Sequence, residues 1–360
     1  MSHECKIYLS DEGFGHIVRQ SAVVDALRKI EPSIHFTLQT EKHLDTAKRI
    51  IPADNYINKF NNIVWHKQPN GSPDIAAIRS QFSNYETVSE KFIADEASDC
   101  NSDFILSDFV YEAFEVAAKK SIPSFGVSHF TWDWFFSKLY PPPLHTDLIY
   151  RMMAMADKAT RLYFPPFTPK EILSRYKYNV LEVPLILRKV INHKLSDAKG
   201  RFKVLIVDSG AGVIGESIRK ALSTVGVLDD FVFYVSEKFM TEQHNLRAIP
   251  ENELLVDYIS DMDLVIGRAG FNTICECIGL RTPMLLIGEA MNPEMNENIV
   301  MLKHVHLGSF ISMHTFENEL GNFLPGFLQH EYKFISRMIK EHSIETNGAV
   351  VIAEDILNHL

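Results

Sequence analysis

The chain has 360 residues, 46% apolar and 23% charged, which is ordinary globular usage at a length beyond what one hydrophobic core usually serves, so two cores are expected. Its formal net charge of -10 argues against a polynucleotide held by electrostatics. There is no apolar N-terminal signal core and no uncharged run approaching the roughly eighteen residues of a membrane span, so a cytoplasmic protein without a transmembrane segment is expected.

In chain order, KIYLS (6–10) reads as the first strand. The loop DEGFGH follows, then a helix from Ile17 to about Ile30 with Ile17, Val24 and Leu27 on one side, then the strand IHFTLQT (34–40), together a βαβ unit. Residues 55–100 are less regular. FILSD (104–108) and PSFGVS (123–128) bracket another helix and repeat the unit. The most polar stretch, NHKLSDAKG (192–200), offers few residues that pack and marks a hinge between domains 1–195 and 196–360. From Lys199 the pattern restarts with FKVLIVDSGAG (202–212), a helix from about Gly215, the strand FVFYVS (231–236) and a short LLV (254–256). It ends on DLVIGRAGFNTICECIGLRTPMLLIGEAMNPEMNEN (263–298). Apolar strands alternating with helices predict two similar α/β halves, each a parallel sheet wrapped by helices. Cys5, Cys100, Cys275 and Cys277 are few, which fits a reducing compartment, and Cys275 and Cys277 are too close in one helix to face each other. No metal site follows from that pair, because no second ligand cluster of the usual spacing accompanies it.

Two places carry chemistry. In the segment from Asp263, the run Leu264–Ile266 suits a strand buried on both faces, and Gly267 and Gly270 would then let the backbone turn tightly. Phe271, Asn272 and Thr273 open the next helix, with Asn272 or Thr273 able to cap it. N–H groups at a helix start, with the helix dipole behind them and Arg268 alongside, suit a diphosphate. Glu276, one turn in, can accept hydrogen bonds from sugar hydroxyls. In the first half, Gly13 and Gly15 let the backbone approach a ligand. His16 beside them sits near a helix N-terminus, suited to remove a proton from a hydroxyl within hydrogen-bond reach. Asp11, Glu12 or Asp108 could orient it, and Arg19 could face a phosphate or solvent.

The 263–298 segment resembles the donor-nucleotide site of GT-B glycosyltransferases, especially the peptidoglycan N-acetylglucosaminyl transferase group. Asp263, Arg268, Gly270, Thr273, Glu276, Pro283, Glu294 and Asn298 stand at matching places. The resemblance implies that Gly270 holds the diphosphate, that Glu276 binds the ribose, and that Glu294 and Asn298 belong to the donor site. Met295 stands where that group has a glutamine that contacts the donor sugar, so nucleotide binding carries over better than sugar identity. The G-x-G-H-x-x-R loop at 13–19, the Ser107–Asp108 start and FTWDW at 130–134 are similar to the glycosyltransferase-like N-terminal region of plant L-arabinokinases. RMMAMADKATRLYFPPF (151–167) continues that likeness, but no kinase half is present. The resemblance implies a GT-B architecture: two Rossmann-like domains, an active site in the cleft between them, and the last helices near Glu345 to Leu360 packing back toward the first domain. It implies His16 as base, for which Asp11, Glu12 and Asp108 stay open as partners with Asp108 as the second catalytic candidate, and donor contacts from Gly15, Ser209, Gly210 and Gly212. Phe130, Trp132, Trp134, Phe135 and Phe136 could wall an acceptor sugar or lipid, with His129 and Asp133 as further acceptor contacts, or simply pack the core.

The expected reaction is transfer of a sugar from a nucleotide-diphosphate donor, UDP-linked by resemblance, to the hydroxyl of a small-molecule, glycan or lipid-linked acceptor. The nucleotide-sugar is a substrate, so no cofactor is expected, and no D-x-D pair suggests a metal. Three other readings compete. GAGVIG (210–215) with Glu237 matches a dinucleotide fingerprint and would suggest an NAD-dependent oxidoreductase, but no companion dehydrogenase constellation is visible. A nucleotide-sugar hydrolase would use the same site with water as acceptor, and a non-catalytic nucleotide-sugar-binding protein would keep Glu276 without needing His16.

Overall fold

The computed structural model describes residues 3–61, 63–68, 73–139, 146–191, 195, 200–208, 214–251, 253–288 and 291–360. The chain forms two compact units, Met1–Arg188 with Thr346–Leu360, and Lys189–Glu345.

Unit 1 contains strands β1 (Glu4–Tyr8), β2 (His35–Thr40), β3 (Asn55–Asn58), β4 (Phe104–Ser107), β5 (Ser124–Val127), β6 (Arg161–Phe164) and β7 (Val180–Glu182). Between them run α1 (Phe14–Ile30), α2 (Leu44–Ile50), α3 (Ile75–Asp99), α4 (Tyr111–Lys120), α5 (Trp132–Leu139), α6 (Thr146–Ala156) and α7 (Lys170–Arg175). The sheet order is β3-β2-β1-β4-β5-β6-β7, every pair parallel. Alternate residues feed opposite layers. Ile7, Phe104 and Leu106 pack in one core cluster with Val23, Val24 and Leu27 of α1, while Tyr8 and Ile105 pack in the other with Phe114 of α4. Each such fully buried side chain stabilises by about 1.5–3 kcal/mol, which explains why both faces of these strands read as apolar.

Unit 2 contains β8 (Phe202–Val207), β9 (Phe231–Ser236), β10 (Leu246–Ile249), β11 (Leu264–Arg268), β12 (Met284–Ile287) and β13 (Ser309–Ile311). Its helices are α8 (Gly215–Thr224), α9 (Phe271–Gly279), α10 (Pro293–Val305), α11 (Met313–Phe327) and α12 (Lys333–Glu341). The parallel order is β10-β9-β8-β11-β12-β13. Both units thus share the 3-2-1-4-5-6 order of doubly wound folds, whose ligands bind where the order reverses, outside the carboxyl ends of the strands.

The closing helix, α13 (Gly348–Leu357), is part of unit 1 and packs on α1. Gly348 donates its N–H to the Leu185 carbonyl at 3.1 Å. A Cβ there would come within 2.0 Å of the Pro184 carbonyl oxygen, so only glycine permits this approach. The unit boundary lies at 188/189, before the polar stretch that the sequence marks as hinge; residues 192–194 and 196–199 of that stretch lie outside the described residues.

Two local expectations are corrected. The less regular 55–100 region contains β3 and the 25-residue helix α3, capped by Asp74, which accepts from the Ala77 N–H at 3.0 Å. LLV (254–256) is no strand: a 3-10 helix spans Leu255–Asp261, and the edge strand is LRAI at Leu246–Ile249. Among the described residues no helix is long and apolar enough to cross a membrane.

Candidate functional site

In unit 1 the sheet order reverses between β1 and β4, where Tyr8 pairs with Ser107. The chain leaving β1 enters α1 through Gly13, whose φ of 76° a glycine tolerates without strain. His16 therefore lies in the first turn of α1. The chain leaving β4 presents Asp108, whose N–H donates to the Tyr8 carbonyl at 3.0 Å. The next residue, buried Phe109, has φ 52°, an uncommon conformation for a bulky residue and one that clusters at functional sites. Ser107 Oγ stabilises this turn through the Val110 N–H and carbonyl, both at 3.0 Å.

His16 Nδ1 pairs with Asp108 Oδ2, and Arg19 Nη2 donates to Asp108 Oδ1. A carboxylate only accepts, so the proton of a neutral His16 sits on Nδ1 and its Nε2 offers a lone pair. Arg19 also reaches His129 Nδ1 at 3.2 Å and Ser128 Oγ at 3.3 Å. All five side chains are buried. Burial by itself raises the Asp108 carboxyl, but the Arg19 guanidinium and His16 imidazole outweigh it and hold the group well below the ordinary carboxylate range. Trp132 stacks on the His16 ring at 6.2 Å and 26°, and Phe130 meets it edge-on at 6.2 Å.

Of the three acidic partners considered for His16, the structure brings Asp108 to it. Asp11 instead accepts from Thr40 Oγ1 and from the N–H groups of Glu41, Lys42 and Asn61 at 2.8–2.9 Å, tying the β1 and β2 loops together. Glu12 lies 3.5 Å from Lys42 Nζ. Arg19 does not face solvent; it is buried and serves as an internal ion partner of Asp108. Sequence reasoning missed Ser128, and it missed His43, which precedes α2 and is coupled electrostatically to His16. Burial, together with Lys42, pushes the His43 imidazole down, while Asp11 acts the other way.

The aromatic run divides. Asp133 is fully buried and accepts from Tyr111 and Tyr176 hydroxyls at 2.5 and 2.8 Å while pairing with Arg175. Trp134 is 1% exposed and donates Nε1 to Glu171 at 2.7 Å. These two expected acceptor contacts are core residues here, as are Phe135 and Phe136. Trp132 and His129 are buried as well, but they adjoin His16 and Arg19.

In unit 2 the order reverses between β8 and β11. Beyond β11, Gly270 takes the N-cap position of α9 with φ -74° and no side-chain cap. Neither Gly267 nor Gly270 has a positive φ, so tight turning is not what glycine provides. A Cβ on Gly267 would sit 3.3 Å from the Val207 carbonyl oxygen, whereas one on Gly270 would meet nothing within 4 Å, leaving room for a ligand to approach the backbone. Asn298 of α10 donates Nδ2 to the Ala269 carbonyl at 2.9 Å and pins this turn. Asn292 caps α10 through the Met295 N–H at 3.2 Å, and Met295 is buried. Arg268 and Glu276 are buried, while Asn272, Thr273 and Glu294 are half-buried. Asp208, at the end of β8, pairs with Lys238 Nζ at 3.1 Å, a cation the sequence reading did not single out. Ser209, Gly210 and Gly212 lie outside the described residues. Cys275 and Cys277 are buried free thiols, and burial pushes Cys277 up.

Residues 209–354 match the glycosyltransferase family 28 C-terminal domain. The chain is 33% identical over 122 residues to a UDP-N-acetylglucosamine--N-acetylmuramyl-(pentapeptide) pyrophosphoryl-undecaprenol N-acetylglucosamine transferase of Oceanobacillus iheyensis, covering 31% of this chain and 34% of that one. It is 22% identical over 195 residues to L-arabinokinase of Arabidopsis thaliana, covering 52% of this chain and 18% of the relative. The matches thus span about a third and a fifth of those proteins' lengths. Among solved structures, the glycotransferase of kitacinnamycin superposes with a TM-score of 0.67 at 14% identity, covering 99% of both chains. The two parallel sheets and this likeness establish the GT-B fold, two Rossmann-like domains.

Proposed function

We propose that this GT-B chain, with its family 28 domain over residues 209–354, is a glycosyltransferase that moves a sugar from a nucleoside diphosphate donor to a hydroxyl acceptor. The observation that carries the reading is the buried His16–Asp108 pair at the reversal point of unit 1. The acceptor oxygen forms its bond to the anomeric carbon, the bond from that carbon to the diphosphate oxygen breaks, and the acceptor proton passes to His16 Nε2. Asp108 keeps the imidazole in the required tautomer and stabilises the imidazolium that forms. The departing diphosphate gains charge, which the first-turn N–H groups of α9 and Arg268 offset. Glu276 accepts from the ribose hydroxyls. UDP is the favoured nucleotide, supported by the Oceanobacillus relative, whose name specifies a UDP-sugar. The acceptor class, whether small molecule, glycan or lipid-linked, stays open in this reading.

A hydrolase is the second reading, with water in place of the acceptor at the same base. The test is a calorimetric titration with UDP, GDP, TDP and NAD, followed by mass-spectrometric turnover of UDP-sugars with and without added acceptors. UDP should bind, and His16→Ala should lower turnover about a hundredfold or more with nucleotide affinity nearly unchanged. Tight NAD binding without any nucleoside diphosphate binding would overturn the proposal. Full turnover in a folded His16→Ala variant would remove His16 as base.

A further inference from the structure

Arg19 stands one helical turn beyond His16 on α1, a spacing that places both on one face. It is 3% exposed, and a guanidinium taken out of water costs several kcal/mol unless its partners compensate. The group has donors only, so a neutral imidazole nitrogen that meets it and no carboxylate must accept. His129 Nδ1, 3.2 Å from Nη1, therefore offers its lone pair, and the proton of a neutral His129 sits on Nε2. His16 is fixed the other way round: its Nδ1 faces the Asp108 carboxylate, although Arg19 Nη2 lies 3.3 Å from the same nitrogen. One Arg–Asp pair thus holds two imidazoles in opposite tautomers, so that one Nε2 accepts and the other donates.

The charges matter as much as the hydrogen bonds. Asp108 and Arg19 cancel, so the cluster is neutral until His16 takes up a proton. Without the arginine, the imidazole would face a buried carboxylate that has no counter-charge. The other ionisable groups nearby are Asp11 and Glu12 in the loop before α1, Lys42 and His43 before α2, and His129 after β5. Asp11 and Glu12 carry the same sign as Asp108, and Lys42 pairs with Glu12 at 3.5 Å, so none of these replaces Arg19 as counter-charge to Asp108.

We propose that Arg19 is a positioning residue: it neutralises Asp108 and, together with it, fixes His16 with its proton on Nδ1 and His129 with its proton on Nε2. The proposal rests on His16 as base only where turnover is concerned. Its direct test is spectroscopic: ring 15N–1H correlation spectra of the full chain labelled at histidine, with His16 and His129 assigned through His16→Gln and His129→Gln. At a pH where both rings are neutral, His16 should carry its proton on Nδ1 and His129 on Nε2; His16 as the Nε2–H tautomer overturns the assignment. In Arg19→Gln, whose amide can donate or accept, His129 should lose its fixed Nε2–H form and populate both tautomers, and an unchanged His129 tautomer overturns it. If that variant does not fold, Arg19→Gln/Asp108→Asn leaves no unpaired charge in the core. In it His129 should likewise populate both tautomers, and a His129 still held as the Nε2–H form overturns the proposal. Absence of UDP-sugar turnover would sink the proposed function and leave these spectra to decide Arg19 separately.

Discussion

Units 1 and 2 place a βα turn at the same topological point and equip it oppositely. After β1, β4 and β5, the chain of unit 1 brings together His16, Arg19, Asp108 and His129 in a closed, buried set of charged and polar contacts. After β11, unit 2 offers a glycine with space beside it, a helix start without a side-chain cap, and an asparagine that holds the loop by its backbone. A proton carrier needs its ring held in one tautomer with compensated charge, so it must be enclosed. Under the proposed function, a diphosphate already carries its charge and needs backbone donors within reach, which an uncapped helix start with space beside it would supply.

The largest expected effect breaks the enclosed half of this comparison. Asp108→Asn removes one partner of a buried pair and leaves Arg19 uncompensated, which should cost about 3–5 kcal/mol of stability near neutral pH. Because the folded protein holds the Asp108 carboxyl below its ordinary value, that stabilisation is present above the unfolded value near 3.9 and is lost as pH falls through the folded one. Urea midpoints of native and variant protein should therefore lie far apart at about pH 7 and converge below about pH 4. Equal midpoints at neutral pH would mean that the pair contributes no net stability.

The next effect sharpens the open half. Glu276→Ala should weaken UDP binding by about 1–3 kcal/mol if its carboxylate accepts from the ribose, and it should leave the tautomers of His16 and His129 untouched. Calorimetry on the folded variant decides this, and an unchanged affinity rejects the ribose role.

How much of this was legible depends on how far apart in sequence the partners lie. Strands such as FVFYVS, found at Phe231–Ser236, announce themselves as continuous apolar runs. Helix α3 does not, although Ile78, Phe82, Tyr85, Phe92 and Ile93 recur at helical spacing, because the charged and polar residues between them dilute the pattern to irregularity. His16 was readable from its loop, and Asp108 from its position at a strand end. Their pairing over Oδ2, and the part of Arg19, arise only when the crossover sets β4 beside β1 and β5 brings Ser128 and His129 alongside. The aromatic run from Phe130 was ambiguous for a physical reason: rings that could stack on a sugar are equally the largest sources of buried area, and at Trp134 the core took them.

The smallest predicted effect asks whether the open turn owes its shape to a single hydrogen bond. Asn298 was expected among the donor contacts, yet its Nδ2 donates to the Ala269 carbonyl, so its leverage on a nucleotide runs through the backbone it holds. Asn298→Ala removes that bond and should cost about 1 kcal/mol. If the bond shapes the turn for its ligand, the loss appears in UDP affinity, roughly fivefold by calorimetry, while the His16 tautomer stays as it was. If thermal stability falls by a comparable amount with UDP affinity unchanged, the bond supports the fold of unit 2 alone. The α9 turn would then keep its geometry through the β11–β12 pairing, which already fixes Arg268 opposite Ile287 and the Ala269 N–H on the Ile287 carbonyl at 3.2 Å.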